Sequence, residues 1–536
     1  MQLPQVSVPP IRPPGLEADV AKALSADPHS EIVQVPVVAG NNLVPTIVDS
    51  RTTTRPVVVE RDFFPNNLHI KLRIVLGQDG KTYSVRSDAG NDYVLAVGSN
   101  ALDHIIREEG QEAGVLLRKS EIQEICNLLR SKAESKSITT EVFHRVARID
   151  GGIEVDVGDS KHTRIRVRAG QVEIVDAGST VLFYRPRTSR PMAMPATHGN
   201  LGLLNKYLNL HPTTIVLYIA WITYTLAHAK VPTTKFVILV ARGGQGSGKS
   251  ALSALSKMLI DPSVVGVQML PGNGRDLALD AQNAHVLCYD NVRGFRHEIA
   301  DMLCILATGG ALTTRQLYTD AEQQVHFMHG AVILNGIPSF IDQPDLAQRC
   351  LCIDLLPLPE ANRKSDAQLS RELQADLPEI QRGLFDLIAQ IMIHLPTATV
   401  TNPERMLDFV HWLAAMEQAQ GVPAGTYQAG YSEALNQGQL DSLQDDVLAA
   451  AVVDFATVKF GGDWSGTPTE LLAELNLRAS KGTLRSREWP QNPISLSKKL
   501  IPLQASLLTQ GIRVELRRGR ERSITITNSG AQDDKY

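Results

Sequence analysis

The chain has 536 residues, of which 43% are hydrophobic, and its formal net charge at pH 7 is −4. Because one hydrophobic core rarely exceeds ~250–300 residues, we expect several domains. The slight negative charge excludes a chain that binds nucleic acid over its whole surface, so any basic surface must be local. The five cysteines are scattered and lack C-x-x-C spacing, which excludes a paired-cysteine zinc site and favours buried, reduced thiols in a cytoplasmic protein.

The first residues and the longest apolar stretch both argue against export and against a membrane span. Residues 1–4 do not resemble a signal peptide, because no basic region followed by an apolar stretch is present. The apolar residues 214–226 are fewer than the ~20 that cross a bilayer, so we interpret them as a buried helix and expect no membrane partner. Residues 1–60 are rich in Pro, Val and Thr, and we interpret them as a flexible arm.

Residues 61–190 predict an α+β domain. Alternating apolar and charged residues at 69–74 and 163–168 are typical of strands, and residues 100–109 and 120–133 have helical spacing. The repeated Arg and Lys on these strand faces could contact a phosphate backbone. Alternating charge is also typical of any half-exposed strand, and we favour that interpretation.

Residues 191–230 are predicted to form a helical collar that leads into a nucleotide-binding core over residues 231–400. A buried strand and a helix flank a glycine-rich segment, and this setting predicts a P-loop whose N–H groups surround the phosphates of ATP at a helix N-terminus. We expect its lysine to reach the β- and γ-phosphates and its last serine to ligate Mg²⁺. The loop residues are Gly243, Gly244, Gln245, Gly246, Ser247, Gly248, Lys249 and Ser250.

Polar residues follow three later strand patterns of the core. We expect Asp290 to hold Mg²⁺ together with Ser250, as a Walker B aspartate does. Asn335 is placed to orient a water molecule beside the γ-phosphate, although an Asn that merely opens a turn fits the same pattern. Arg349 is expected to act on the nucleotide of a neighbouring subunit, with a surface salt bridge as the alternative. The recurrence of strand and helix predicts a parallel sheet covered on both faces.

Two extended runs between Asp290 and Asn335 predict a β-hairpin with its tip near Tyr318 and Thr319. In a ring-shaped motor such a hairpin points into the central channel, where Tyr318 and Thr319 would contact single-stranded DNA. Arg315 would contact either DNA or the nucleotide of the adjacent subunit. A purely structural hairpin explains the pattern equally well.

The rest of the chain is predicted to be helical over residues 401–465 and to form a winged helix over residues 466–528. A polar tail follows at residues 529–536. Thr467 and Glu470 have the spacing of a capping box, which predicts where the first helix of the winged helix begins.

Basic residues are concentrated in the predicted winged helix. Residues 481–522 contain ten basic residues and three acidic ones, in a chain that is negative as a whole. We expect basic side chains of the recognition helix and of the wing tip to bind the phosphates of duplex DNA, with a protein-docking winged helix as the alternative. These side chains are Lys498, Lys499, Arg517, Arg518, Arg520 and Arg522.

The order of these elements resembles the AAA+ motors of helicase superfamily 3, and more closely the primase-associated ATPases and helicases of phages and integrated mobile elements. The resemblance implies an α/β fold, with a P-loop AAA+ core preceded by the α+β domain and followed by the helical region and the winged helix. It also implies ATP hydrolysis by a hexamer-like ring that moves along DNA, with a primase or another replication protein as a partner. The matching stretches are residues 243–250, 274–277, 289–291, 303–310, 314–320, 333–337 and 345–349.

One position departs from this pattern. Many such motors carry a second acid directly after the Walker B aspartate as general base, whereas this chain has Asn291. An amide cannot accept a proton as a carboxylate does, so the base lies elsewhere, with Glu298 as a candidate, or catalysis rests on positioning and charge.

The sequence therefore leaves two functions open. One is a helicase or translocase, and the other is a DNA-bound ATPase that acts as an assembly switch or loader without unwinding. A small-molecule kinase with the same loop is disfavoured by Asn335 and Arg349.

Overall fold

The computed structural model describes most of the chain from residue 72 onward and three strands before it. Tyr318, Thr319, Arg518, Arg520 and the tail 529–536 lie outside the described residues. Within the described part, no helix has the length and apolar character that a bilayer crossing needs. The described ranges are 33–39, 42–48, 57–59, 72–135, 139–315, 323–336, 341, 343–358, 365–458, 463–486, 489–517 and 522–528.

The N-terminal part of the chain combines antiparallel sheets with two helices. Strands β1 and β2 pair with each other, β3 to β6 form one sheet with β7 beside β4, and β8 to β11 form another. The helices bury Leu102, Ile106 and Ile125 in a cluster with Leu72 and Ile74 of β4. The strands are β1 (Val33–Ala39), β2 (Asn42–Val48), β3 (Val57–Val59), β4 (Leu72–Gly77), β5 (Thr82–Asp88), β6 (Asn91–Ala96), β7 (Thr139–Thr140), β8 (Val146–Ile149), β9 (Gly152–Asp156), β10 (Arg164–Arg168) and β11 (Gln171–Val175), and the helices are α1 (Asn100–Glu112) and α2 (Lys119–Glu134).

The structure places strands inside residues 1–60, for which the sequence indicated a flexible arm. Val57 of β3 pairs antiparallel with Ile74 of β4, so the N-terminal sheet begins before residue 61. A run of valines has a high preference for strands. The many prolines of the segment as a whole concealed this local preference.

A parallel four-stranded sheet forms the centre of the chain, which confirms the predicted α/β class. The order of the strands is β13-β16-β12-β17. Every residue of the two central strands, β12 and β16, is buried. Burial on both faces explains why these strands are continuous apolar runs. An antiparallel hairpin, β14 with β15, precedes β16. The elements are β12 (Ile238–Arg242), α4 (Lys249–Ile260), α5 (Gly274–Asn283), β13 (Val286–Val292), α6 (His297–Thr308), β14 (Gly310–Arg315), β15 (Gln323–Met328), β16 (Ala331–Gly336), α7 (Pro344–Ala347) and β17 (Cys350–Asp354).

Helices on either side of this core in sequence pack against it. The apolar stretch that we interpreted as a buried helix is α3 (Pro212–Ala227), and its Trp221 is fully buried and donates its indole N–H to the carbonyl of Val237 at 2.7 Å. This bond fixes α3 beside the start of β12. The other helices that pack on this core are a 3-10 helix (Leu201–Lys206), α8 (Asp366–His394), α9 (Leu407–Ala419) and α10 (Thr426–Asp445), and α11 (Val447–Val458) follows them along the chain.

The C-terminal elements have a hydrophobic core of their own. The sheet order is β18-β20-β19, and α11 contributes Leu448 and Phe455 to this core, so the unit begins before residue 466. The predicted capping box is confirmed, because Glu470 N–H donates to Thr467 Oγ1 at 3.2 Å and Thr467 N–H donates to Glu470 Oε2 at 2.7 Å. The elements are β18 (Trp464–Gly466), α12 (Pro468–Arg478), α13 (Lys481–Leu484), α14 (Pro493–Thr509), β19 (Ile512–Arg517) and β20 (Ser523–Asn528).

Candidate functional site

The glycine-rich loop (residues 243–250) connects the buried strand β12 to helix α4. Gly246 and Gly248 have φ angles of 77° and 95°, which residues with a side chain rarely adopt. Gly248 is the N-cap of α4, so the loop ends where the first N–H groups of a helix have no partner within the helix. The positive end of the helix dipole faces the same place.

Lys249 and Ser250 begin α4 and direct polar atoms into the site. The Lys249 Nζ donates to the carbonyls of Gly243 and Gly244, both at 2.8 Å, so the ammonium lies over the loop. The Ser250 hydroxyl donates to Asp290 Oδ2 at 2.8 Å. Asp290 lies near the end of β13, and the structure therefore brings together the two residues predicted to share a metal ion.

Asn335 connects three elements of the core at the same edge of the sheet. It lies on β16 and is fully buried. Its Oδ1 accepts the backbone N–H of Asn291 at 3.1 Å, and its Nδ2 donates to the Ser253 hydroxyl of α4 at 2.9 Å. Asn335 is therefore more than a turn-opening residue, because its amide holds β13, β16 and α4 in one arrangement.

Asn291 occupies an unusual backbone conformation. Its φ is 55°, in the left-handed region that Asn tolerates better than most residues. Its N–H donates to Asp290 Oδ1 at 2.6 Å as well as to Asn335, while the residue itself is exposed. Glu298, the candidate base, is exposed in the first turn of α6.

The loop fits a phosphate-bearing ligand with a hard cation. The Ser247 hydroxyl is buried and has no hydrogen-bond partner within the described residues. A Cβ atom on Gly243 would lie 2.7 Å from that hydroxyl, so any larger residue would clash with the loop in this conformation. Ser250 and Asp290 offer oxygen atoms, which Mg²⁺ prefers. Among the described residues, no group of three or more His, Cys, Asp or Glu side chains is arranged to hold a metal ion.

Arg349 lies between α7 and β17 and forms an ion pair within its own chain. Its Nη1 donates to the carbonyl of Asp345 at 2.7 Å and to the Asp345 carboxylate. Arg405 also pairs with Asp345, at 2.5 Å. Burial would raise the pKa of Asp345, but the two guanidinium groups hold it below its usual value. The Arg349 side chain is only 12% exposed in this arrangement.

Two further groups of predicted residues are placed only in part. The backbone of Arg315 belongs to β14, but its side chain lies outside what the structure describes. In the C-terminal unit, Lys498 is exposed on α14, Arg522 is exposed beside β20, and Lys499 is half-buried. Arg517 is exposed at the end of β19 and approaches Glu515 at 3.4 Å.

Two family models match the chain, and together they cover most of it from residue 202 onward. Residues 202–446 match a family model described as the actinomycete integrative conjugative element replication protein, and residues 448–534 match the model of the C-terminal domain of that element's RepA. The chain is a replication protein of a mobile genetic element.

The similarity of the chain to individual known proteins is low. No curated protein matches the replication protein. Among solved structures, an apo A form of the NrS-1 C-terminal region is 12% identical, with a TM-score of 0.38, and the match covers 85% of this chain and 96% of that one. An apo structure of NrS-1 residues 305–718 is 13% identical, with a TM-score of 0.27, and the match covers 69% and 95% of the two chains.

The structure of the replication protein also contains a buried charged cluster that sequence analysis missed. Asp261, directly after α4, accepts hydrogen bonds from Arg145 Nε at 3.1 Å, Lys257 Nζ at 3.4 Å and the N–H groups of His285 and Val286 at 2.8 and 3.3 Å. Burial would raise the pKa of Asp261, but the surrounding cations hold it well below its usual value. Only the i,i+4 spacing of Lys257 and Asp261 was visible in the sequence.

This Asp261 cluster joins the far ends of the two elements that carry the site. Helix α4 begins at Lys249 and ends beside Asp261, and β13 begins at Val286 and carries Asp290 near its other end. Arg145 belongs to the N-terminal part of the chain, immediately before β8. The cluster therefore ties the N-terminal sheets to the elements that position Lys249 and Asp290.

Proposed function

We propose that this replication protein is a Mg²⁺-dependent ATPase that acts as a DNA helicase or translocase, working as a ring oligomer with ATP at the subunit interfaces. The observation that carries the proposal is the hydrogen bond between Ser250 Oγ and Asp290 Oδ2. It joins the end of the glycine-rich loop to an acid at the carboxyl edge of a parallel sheet, the edge at which open α/β sheets bind ligands.

Each residue of the site has a role in this proposal. The N–H groups of the glycine-rich loop and the Lys249 ammonium would hold the phosphates, replacing the loop carbonyls that Lys249 now contacts. Ser250 and Asp290 would hold Mg²⁺, which supplies charge stabilisation at the phosphates when bound. Asn335 would fix the position of Asp290 relative to α4 through Asn291 and Ser253.

The C-terminal unit would bind DNA. Helices α12 to α14 and the hairpin β19–β20 have the order of a winged helix, and the exposed cations Lys498 of α14, Arg517 and Arg522 suit phosphate contacts. In the proposal, duplex DNA lies against this unit and single-stranded DNA passes beside the hairpin β14–β15. A partner that supplies primers would complete the replication machinery.

Asn291 favours a second candidate function, an ATPase that switches between assembly states and unwinds nothing. The residue directly after Asp290 is not an acid, and Asn291 is exposed at that position. Slow hydrolysis would suit a switch or loader better than a motor.

Two measurements test the proposal, and one of them does not depend on turnover. Binding of a fluorescent ATP analogue is measured with and without Mg²⁺ for the wild type, Lys249→Ala and Asp290→Asn. We expect Lys249→Ala to weaken binding at least tenfold and Asp290→Asn to remove the Mg²⁺ dependence. Wild-type affinity in Lys249→Ala would refute the assignment of the loop.

The second measurement is strand displacement on forked DNA with ATP and Mg²⁺. Displacement by the wild type and not by Lys249→Ala supports a helicase. ATP turnover without displacement supports the assembly switch or a double-strand translocase.

A mixing experiment tests whether Arg349 acts on a neighbouring subunit. Lys249→Ala subunits keep the arginine and Arg349→Ala subunits keep the loop. If each variant is inactive alone, we expect ATP turnover to return when the two are mixed, because some interfaces then contain both intact residues. No recovery in mixtures would leave Arg349 with the role seen here, an ion pair to Asp345 within its own chain.

A further inference from the structure

A cavity of about 430 Å³ lies where the N-terminal sheets meet the central part of the chain. Its walls come from the β4–β5 hairpin, from residues 142–144, from the end of α5 and from the base of the hairpin β14–β15. No residue of the glycine-rich loop lines it. Its volume lies within the ~300–1,000 Å³ that is usual for sites that bind small molecules.

Aromatic rings form much of the wall. Tyr83 and Phe143 are buried, and the rings of Tyr83 and Tyr184 lie 5.6 Å apart. Phe327 of the hairpin contributes another aromatic ring to the wall and is 48% exposed. Its backbone pairs with Ala311. Such walls favour a ligand with a flat apolar face, because aromatic rings gain most by stacking or by edge contacts.

His144 is a buried polar group of the wall that has no hydrogen-bond partner among the described residues. It is only 9% exposed, and neither ring nitrogen forms a hydrogen bond within the residues that the structure describes. Burial lowers the pKa of His144 to about 3, so the ring is neutral near pH 7 and carries one donor and one acceptor. Buried side-chain groups without a partner are rare in folded proteins, and a ligand is one of their explanations.

Two charged groups narrow the class of ligand further. The Lys230 ammonium donates to the carbonyls of Ala281 and Ala284 at 2.7 and 2.9 Å, and its third N–H can serve a ligand acceptor. The Asp79 carboxylate, which accepts from Tyr83 OH at 2.7 Å, lines the same cavity and would repel an anion. The wall thus carries one cation and one anion, and an uncharged ligand with both donors and acceptors fits it.

We propose that this cavity binds an uncharged nucleobase, presented either by a free nucleoside or by a single-stranded DNA. A base offers a flat face to the aromatic rings and a mixed donor and acceptor edge to His144 and Lys230. The bound base would contact Ala311 and Phe327 at the root of the hairpin β14–β15. Occupancy would thereby link the N-terminal sheets to the hairpin.

The test fills the cavity in the full-length protein without removing a buried side chain. Ala311 is exposed and lines the cavity, so Ala311→Trp places an indole in the proposed site. Thr313 is exposed on the same face of β14 and does not line the cavity, so Thr313→Trp is the matched control. Phe327→Leu provides a second, milder variant that keeps an apolar residue in the hairpin.

Two probes distinguish the two sources of the base. Adenosine, guanosine, cytidine and thymidine are titrated by saturation-transfer difference NMR, and an oligonucleotide with one 2-aminopurine is followed by fluorescence quenching. We expect Ala311→Trp to weaken binding at least tenfold, Phe327→Leu severalfold and Thr313→Trp not at all. An effect on nucleosides identifies a free ligand, and an effect on the oligonucleotide alone identifies a base of a DNA strand.

The proposal is overturned if neither probe binds the wild type, or if Ala311→Trp and Thr313→Trp behave alike with both probes. Nucleosides lack phosphates, so Lys249→Ala should leave the binding of nucleosides to this cavity unchanged. A failure of the ATPase proposal would therefore not be mistaken for a failure of this one.

Discussion

Replacing Asp261 by Asn tests how strongly the N-terminal sheets are tied to the nucleotide-binding elements. The carboxylate is 1% exposed and the facing Arg145 is 3% exposed, so the substitution leaves buried cations without their counter-charge. Removing one partner of a buried ion pair typically costs about 3–5 kcal/mol. The amide oxygen of Asn also cannot accept from all four donors that Asp261 serves, which places the expected loss within that range and not below it.

Hydrogen–deuterium exchange of the intact protein is the suitable assay, because a multidomain chain need not unfold in one step. Peptides that cover the end of α4 and the start of β13 should exchange roughly a hundredfold faster or more in Asp261→Asn, since each ~1.4 kcal/mol corresponds to a factor of ten. Asp386→Asn is the control, because the pair of Asp386 with Arg382 is partly exposed and should contribute less than about 1 kcal/mol. Exchange within about fivefold of wild type in Asp261→Asn would refute the reasoning.

The same cluster predicts a dependence on pH. The folded-state pKa of Asp261 lies well below its ordinary value. Asp156, a separate buried carboxylate that pairs with Arg164 and Arg185, also has a lowered pKa because of these arginines, although burial opposes this. A depressed carboxyl pKa stabilises the fold above the unfolded-state value of ~3.9, and this contribution is lost as the pH falls below it. Wild-type protection should therefore decline below about pH 4, and Asp261→Asn should decline less steeply.

Three further predictions concern the site itself. Asn335→Ala should destabilise β16 by about 2 kcal/mol, because two hydrogen bonds of ~1 kcal/mol each are lost, whereas Ser253→Ala should cost about half as much in the same exchange experiment; equal effects would contradict the shared role of Asn335. Asn291→Glu should cost roughly 1 kcal/mol at its left-handed φ and raise ATP turnover at least tenfold, and unchanged turnover would direct the search for a base to Glu298. Asp345→Asn should lower local stability by less than about 1 kcal/mol in the same exchange experiment, because that carboxylate is half-exposed. A larger loss would contradict the assignment of a weak, partly exposed ion pair.

The glycine-rich loop and its partners could be predicted because local sequence determines them. The apolar strand before the loop, the glycines and the helix after it are contiguous, and the carboxyl ends of parallel strands meet at one edge. The same rule explains why Asp290, near the end of β13, and Asn335, near the end of β16, lie at the edge where the loop follows β12. The hydrogen bond of Ser250 to Asp290 agrees with it.

The contacts that sequence analysis missed connect distant residues. Arg145 and Asp261 are 116 positions apart, and no period or spacing indicates such a pair. His144 likewise looks like any histidine until the fold places it, without a partner among the described residues, in the wall of a cavity. For Arg349, in contrast, the sequence offered a salt bridge as the alternative, and its ion pair with Asp345, four positions earlier, agrees with that alternative.

The backbone conformation at position 291 explains why Asn occupies it, and this explanation bears on both candidate functions. Its positive φ turns its backbone N–H toward Asp290 and Asn335 at once, and Asn is among the residues that tolerate this conformation. The position therefore acts through its backbone, and its exposed side chain has no part in these contacts. A fold that needs a left-handed residue here would select Asn over Glu even in an active ATPase. The missing second acid therefore supports a switch without unwinding less strongly than the sequence alone suggested. Strand displacement, and not the identity of residue 291, separates the two functions.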